Sequence, residues 1–113
     1  MLVIEKDHLA LYPASEWADF EQRLRESSKL DPEAERLRRF YAPGTVASSI
    51  DSQGRIMVPG FLRDHANLEK EVIVAGVFDY VEIWNPAKFE ASQAETMYEL
   101  DEIKRTVDQR QRS

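Results

Sequence analysis

The stretch Ile50-Asp51-Ser52-Gln53-Gly54-Arg55-Ile56-Met57-Val58-Pro59 decides how this chain is read. An aspartate opens a short polar loop and a glycine closes it. Asp51 is suited to cap its own turn, and Gly54 tolerates the positive φ that such a loop needs. Residues rich in β-branching flank the loop, so the pattern predicts strands over 45–50 and 55–58 joined as a hairpin. Pro59-Gly60 then leads into a short helix over 61–66, with Asn67 as its C-cap.

Upstream, Pro43-Gly44 halts a helix that opens at Asp31-Pro32, an N-cap followed by proline at the first helical position. Ala34, Leu37 and Tyr41, with Phe40 beside them, form its apolar stripe, and Arg36 and Arg39 point away from it. An earlier amphipathic helix carries Trp17, Phe20 and Leu24, begins after Pro13 and ends at Ser27-Ser28-Lys29. Before it, residues 1–11 read as two short strands around Glu5-Lys6-Asp7-His8. Downstream, strands over 72–77 and 81–84 flank Phe78-Asp79-Tyr80. Asn85-Pro86 then opens a long helix with Phe89, Met97, Leu100, Ile103 and Val107 along it. The polar end, 109–113, is expected to fray.

The chain has 113 residues, 42% of them hydrophobic and 32% charged, the balance of one small globular domain or two very small ones. It has no cysteine, which excludes disulfides and thiolate metal sites and suits a reducing compartment. No run approaches the roughly 18 apolar residues of a membrane span, and the first residues lack the marks of a secretion signal. A soluble, cytoplasmic protein without a membrane partner is expected. The formal net charge is −6, but it is unevenly spread. Residues 1–35 carry 4 Lys/Arg against 9 Asp/Glu, residues 36–70 carry 6 against 3, and residues 71–113 carry 5 against 9. The positive excess in the middle, led by Arg36, Arg38, Arg39, Arg55 and Arg63, fits either a polyanion facing one surface or an ordinary solvated helix face.

An internal echo organises these elements. Shifting the first strand–turn–strand–helix unit by 72 residues sets Asp7 on Asp79, Leu9 on Val81, Leu11 on Ile83, Tyr12 on Trp84 and Trp17 on Phe89. The hairpin around Asp51 has no earlier copy. The pattern is one and a half repeats, the first lacking its opening half.

Little supports an enzyme. His8 and His65 are the only histidines and have no partner at metal-ligand spacing, so turn and helix-end roles suffice for them. Glu95, Glu99, Asp101 and Glu102 read as a solvated acidic face. No phosphate loop, nucleophile elbow or acid–base pair is defensible, and no cofactor or metal is expected. Asp51 to Arg55 is more informative. Arginine reads guanine in the major groove by a bidentate contact. Asp51 could hold that guanidinium through a charge-assisted bond. Ser52 and Gln53 at the tip could reach phosphate or base edges. By itself, however, Asp-x-x-Gly is also a common turn.

The combination of Arg38-Arg39-Phe40-Tyr41, Ile50 to Pro59, Leu62 to Val77 and Val81-Glu82-Ile83-Trp84 resembles the second repeat of the MraZ family, and Leu11-Tyr12-Pro13 with Glu16-Trp17 resembles the end of its first. The likeness covers about residues 2–90. It implies an α+β fold of small swapped-hairpin, AbrB-like β-barrel units with flanking helices. Residues 1–30 would be a remnant of the first repeat, 31–90 the complete second repeat, and 91–113 a C-terminal helix and tail. The resemblance further implies a nucleoid-associated, sequence-specific regulator of double-stranded promoter DNA, a repressor at the division and cell-wall gene cluster, assembled as a ring-like homo-oligomer. Its DNA-contact signature, Asp-x-x-x-Arg, falls here on Asp51 and Arg55. Ser52, Gln53 and Gly54 belong to the same turn, and Arg36, Arg38 and Arg39 are expected to add field or phosphate contacts. Ser52 stands where the family often has lysine, and the first repeat's motif is absent. The competing expectation is a non-enzymatic assembly module with little DNA binding. Because the strands around Val3 and Leu9 lack the hairpin that would have paired with them, another subunit, or disorder, is expected to take its place. On the same logic, the ancestral or true reading frame is expected to run about 25–35 residues further upstream.

Overall fold

The computed structural model describes residues 1–112. Its framework is one antiparallel five-stranded sheet in the order β3-β1-β2-β5-β4. The strands are β1 (Leu2–Ile4), β2 (Leu9–Leu11), β3 (Thr45–Val46), β4 (Ile73–Val77) and β5 (Tyr80–Trp84). Four helices accompany them: α1 (Ala14–Glu26), α2 (Pro32–Tyr41), α3 (Gly60–His65) and α4 (Pro86–Arg112). The α+β architecture matches the expectation, but the sheet is open and does not close into a barrel.

The 72-residue echo is written into strand register. Within the first hairpin Leu2, Val3 and Ile4 face Leu11, Ala10 and Leu9. Within the second, Val74, Ala75 and Gly76 face Ile83, Glu82 and Val81, the same pairs displaced by 72. The two hairpins meet through β2 and β5, where Leu9 faces Ile83, Ala10 faces Glu82 and Leu11 faces Val81. That pairing reads the same in both directions, so a local two-fold axis passes beside Ala10 and Glu82. It relates β1-β2-α1 to β4-β5-α4.

Two strand expectations change. The strands around Val3 and Leu9 are not orphans, because β3 pairs with β1 and β5 with β2. Of the predicted hairpin arms, only Thr45 and Val46 join the sheet. The remainder of 47–59 carries the polar turn but no strand ladder. Its side chains explain why. Ile56 and Val58 turn inward onto the core while Met57 between them is 81% exposed, so the segment has a strand's alternation without a backbone neighbour.

Leu2, Leu9, Leu62, Ala66, Leu68 and Ile83 form the core, with Ile4, Leu11, Val46, Ile56 and Val58 packed around them. Burial of this apolar surface is the main driving force for the fold. A second, aromatic layer seats α1 and α2. Trp17 lies against Tyr12, Phe20 and Tyr41, and Tyr12 stacks on Tyr80 at 4.7 Å. Gly44 is required by close approach, since a Cβ there would overlap the side chain of Ile4. Asp31 caps α2 as expected, its Oδ1 accepting from the backbone N–H groups of Glu33 and Ala34 at 3.0 and 3.2 Å. Asn85 likewise accepts from the Lys88 N–H at the start of α4. Residues 109–112, expected to fray, continue α4, with Arg112 paired to Asp108 one turn back. Ser113 lies outside the described residues.

Candidate nucleic-acid interface

Between the core-facing arms, residues 51–55 form a compact exposed turn. Its geometry follows from one carboxylate. Oδ1 of Asp51 accepts from the backbone N–H groups of Gln53 and Arg55 at 2.9 and 2.8 Å. The Asp51 N–H donates to the Arg55 carbonyl at 2.8 Å, and the Gly54 N–H to the Asp51 carbonyl at 3.0 Å. Gly54 takes φ +77, the left-handed conformation that a side chain would disfavour. The backbone N–H of Arg55 is the largest influence holding the Asp51 carboxyl below its ordinary value, joined by the Gln53 N–H and the Arg55 side chain.

The second carboxylate oxygen aims the arginine. Arg55 Nε donates to Asp51 Oδ2 at 3.1 Å, while the Arg55 side chain is 72% exposed. Neither Nη group has a partner among the described residues. A guanidinium fixed through Nε presents its remaining donors as a fork, the geometry that recognises two adjacent acceptors. Ser52 and Gln53 stand exposed beside it.

The α2 arginines divide into two kinds. Arg36 and Arg39 are exposed and make intrahelical ion pairs with Glu33 and Glu35 at 3.9 and 2.7 Å, contacts worth little in water. Arg38 is half-buried, and its Nη1 donates to the carbonyls of Leu24 and Ser27 at 3.2 and 3.5 Å. It therefore adds a second donor to the Leu24 carbonyl, which also accepts the Ser27 N–H, and engages the Ser27 carbonyl beyond the end of α1, a task that sequence reasoning missed. The signal was faint: among Arg36, Arg38 and Arg39, only position 38 lies beside the Leu37–Tyr41 side of the helix and within reach of α1.

Sequence reasoning also missed the setting of His8. Its ring stacks on Trp84 at 4.1 Å and lies 2.9 Å from Asp7 Oδ1 and 3.1 Å from Glu82 Oε2. The cluster ties the first hairpin to the second. Glu82 and Trp84 share one face of β5 by the two-residue period, and that alternation was the available clue. His65 Nε2 donates to the Glu5 carbonyl at 2.6 Å, a helix-end role as expected. No group of three or more metal-ligating side chains is assembled among the described residues, and no described helix is long and apolar enough to cross a membrane.

A small α+β unit with internal two-fold pseudosymmetry, displaying an exposed arginine locked by a turn aspartate, has the form of a binding module. Residues 42–111 match the family model described as "MraZ protein, putative antitoxin-like". A transcriptional regulator MraZ from Lachnoclostridium phytofermentans is 36% identical over 92 residues, which is 81% of this chain and 64% of that protein. The one from Moorella thermoacetica is 42% identical over 88 residues, 78% of this chain and 62% of that protein. The one from Caldanaerobacter subterraneus subsp. tengcongensis is 36% identical over 100 residues, 88% of this chain and 70% of that protein. The chain thus spans 62–70% of the length of these relatives. It belongs to the MraZ family.

Proposed function

We propose that this protein is a DNA-binding transcriptional regulator that reads double-stranded promoter DNA with the turn Asp51-Ser52-Gln53-Gly54-Arg55. The observation that carries this reading is the Arg55 guanidinium, fixed through Nε on Asp51 with both Nη groups open to solvent. Arg55 is assigned to a base edge, and Ser52 and Gln53 to phosphate or neighbouring base edges. Arg36 and Arg39 add phosphate contacts, whereas Arg38 contributes only its charge because its Nη1 is engaged on α1. The overall −6 charge is no obstacle when the middle third is positive and the acidic residues lie elsewhere. The regulated promoter in this reading belongs to the division and cell-wall gene cluster, with repression as the outcome and the nucleoid as the place of action. Residues 1–30 act as a partial first repeat, 31–90 as the full second repeat and 91–113 as a helical extension.

Self-association belongs to the same reading. β3 occupies the seat beside β1, and the seat related to it by the local two-fold axis, beside β4, is empty among the described residues. Val74 there is 66% exposed, and an edge strand of this kind accepts a strand from another copy. Repetition of that contact would close a ring.

The test is fluorescence anisotropy with a duplex from the promoter region preceding its own gene, against a scrambled duplex of equal length, across a salt titration. The regulator reading expects tighter binding to the promoter and a log–log salt slope of about −0.9 per phosphate contacted. Absence of any binding, or equal binding to both duplexes, overturns it and leaves a non-DNA assembly module.

A further inference from the structure

The long helix α4 has a surface that nothing in the fold uses. Phe89 at its start packs against Trp84, but from Gln93 onward every described residue is exposed. Leu100, Ile103 and Val107 nonetheless recur at spacings of three and four and are 36%, 38% and 43% exposed. With Phe89, Gln93, Thr96 and Arg110 they complete a seam of heptad spacing, the pattern that seats one helix against another. Charge along the helix is segregated. Residues 89–103 contain Glu90, Glu95, Glu99, Asp101 and Glu102 and no Lys or Arg, whereas 104–112 contain Lys104, Arg105, Arg110 and Arg112 with only Asp108 opposing them. Of all these groups, only Arg112 and Asp108 form an ion pair among the described residues.

We propose that α4 pairs antiparallel with α4 of a second copy of this chain, Leu100 facing Ile103 across the axis. In that register the basic run 104–112 of each helix lies along residues 91–99 of the other, which hold Glu95 and Glu99 and no Lys or Arg, while Asp101 and Glu102 meet their like at the axis. A parallel arrangement would set acidic against acidic and basic against basic, which the same charges oppose. The register also places Thr96 opposite Val107 and Gln93 opposite Arg110, so the seam runs about 25 Å. This interface is separate from the free edge of β4 and does not rest on DNA binding, because no α4 residue is assigned to DNA.

The absence of cysteine makes a direct test available. Full-length Gln93→Cys and Arg110→Cys variants are oxidised by glutathione disulfide separately and as a mixture, and cross-links are read by intact mass. Antiparallel pairing expects a mixed 93–110 disulfide at least about tenfold faster than either homodisulfide, because like positions are about 25 Å apart along the pair. Adding Leu100→Glu to both variants should abolish that preference. Faster homodisulfides, equal rates for all three pairs, or no cross-link overturns the proposal. Circular dichroism of each variant confirms retained helix, and a variant that has lost it is replaced by Thr96→Cys with Val107→Cys.

Discussion

Replacing Arg55 by alanine should remove sequence preference while leaving general DNA affinity nearly intact. Nε is committed to Asp51 Oδ2 at 3.1 Å, so the residue offers one two-pronged contact through its Nη groups. A bidentate contact to guanine discriminates by about 1–3 kcal/mol, or about 5- to 150-fold in affinity at 1.4 kcal/mol per decade. Arg55→Ala is therefore expected to weaken the promoter duplex by that factor and the scrambled duplex by much less. Asp51→Asn separates aiming from folding of the turn. An asparagine oxygen can still accept from the Gln53 and Arg55 N–H groups, but its amide nitrogen cannot accept from Arg55 Nε. Asp51→Asn should lower discrimination in the presence of Arg55 and change nothing further once Arg55 is alanine. The assay is competition anisotropy on the four proteins of this cycle at fixed salt. If Arg55→Ala costs the same on both duplexes and reduces the salt slope by about 0.9, Arg55 is a phosphate contact and the base-reading argument is wrong.

Four further outcomes follow from the same geometry. The Asp51 carboxyl is held below 3.8, so the bonds it accepts persist above that value and are lost only as pH falls through the lower folded-state value. Backbone amide shifts of Gln53 and Arg55 should accordingly titrate together with a midpoint under 3.8, and a midpoint at or above it would contradict the turn geometry. Burial, aided by Glu5, raises Tyr12 to about 12 from 10.0. Its contribution to stability is thus complete below pH 10 and lost as pH climbs from 10 towards 12, visible as delayed phenolate absorbance followed by unfolding. Leu62→Ala, at a fully buried core position, should cost about 2–5 kcal/mol in urea denaturation, whereas Leu30→Ala, at a 92% exposed position, should cost under about 0.5 kcal/mol. Arg38→Ala should destabilise by about 0.5–1.5 kcal/mol through loss of its hydrogen bonds to the Leu24 and Ser27 carbonyls, while Arg36→Ala and Arg39→Ala should each instead flatten the salt slope of DNA binding by up to about 0.9.

Local chemistry was legible in the sequence, and non-local pairing was not. Asp31-Pro32 and Asn85-Pro86 mark helix starts because an N-cap bond closes within three residues. Asp51 organises its turn because all of its acceptor bonds end within four residues. The arms at 45–50 and 55–58 have suitable residues for strands, but a strand also needs a neighbour, and β1 supplies one only to Thr45 and Val46. Conversely, the segments at Val3 and Leu9 looked unpartnered because their neighbours lie some 40 and 70 residues away in the chain. Arg38 escaped for the same reason, since its acceptors are 14 and 11 residues back, on a different helix. At the C-terminal end, polar composition suggested fraying, yet the run 109–112 has good helix formers and the Asp108–Arg112 pair to sustain the last turn.

The repeat offset is the exception, a long-range feature that the apolar and aromatic pattern of the sequence revealed. A match of Leu9 to Val81 and Leu11 to Ile83 implies two copies of one hairpin, but not how they meet. Two like hairpins extend one sheet when their exposed edges pair, and identical edges pair antiparallel about a two-fold axis. The register obeys that requirement: Leu9 faces Ile83 and Leu11 faces Val81, β2 meeting β5, its own counterpart. The axis then makes the segment carrying Asp51 and Arg55 the asymmetric feature, because β3 and the turn that follows it lie on one side of an otherwise matched pair. In the proposed reading, recognition has a single locus in this unit, and copies of the chain supply further turns. A DNA site with repeated half-sites should gain affinity with each added half-site only when the copies are joined. Blocking the free edge, for example by Val74→Pro in β4, should leave binding to one half-site unchanged and remove the gain from the second. Equal loss on single and paired half-sites would show that the edge serves the fold of the unit and not the spacing of its turns.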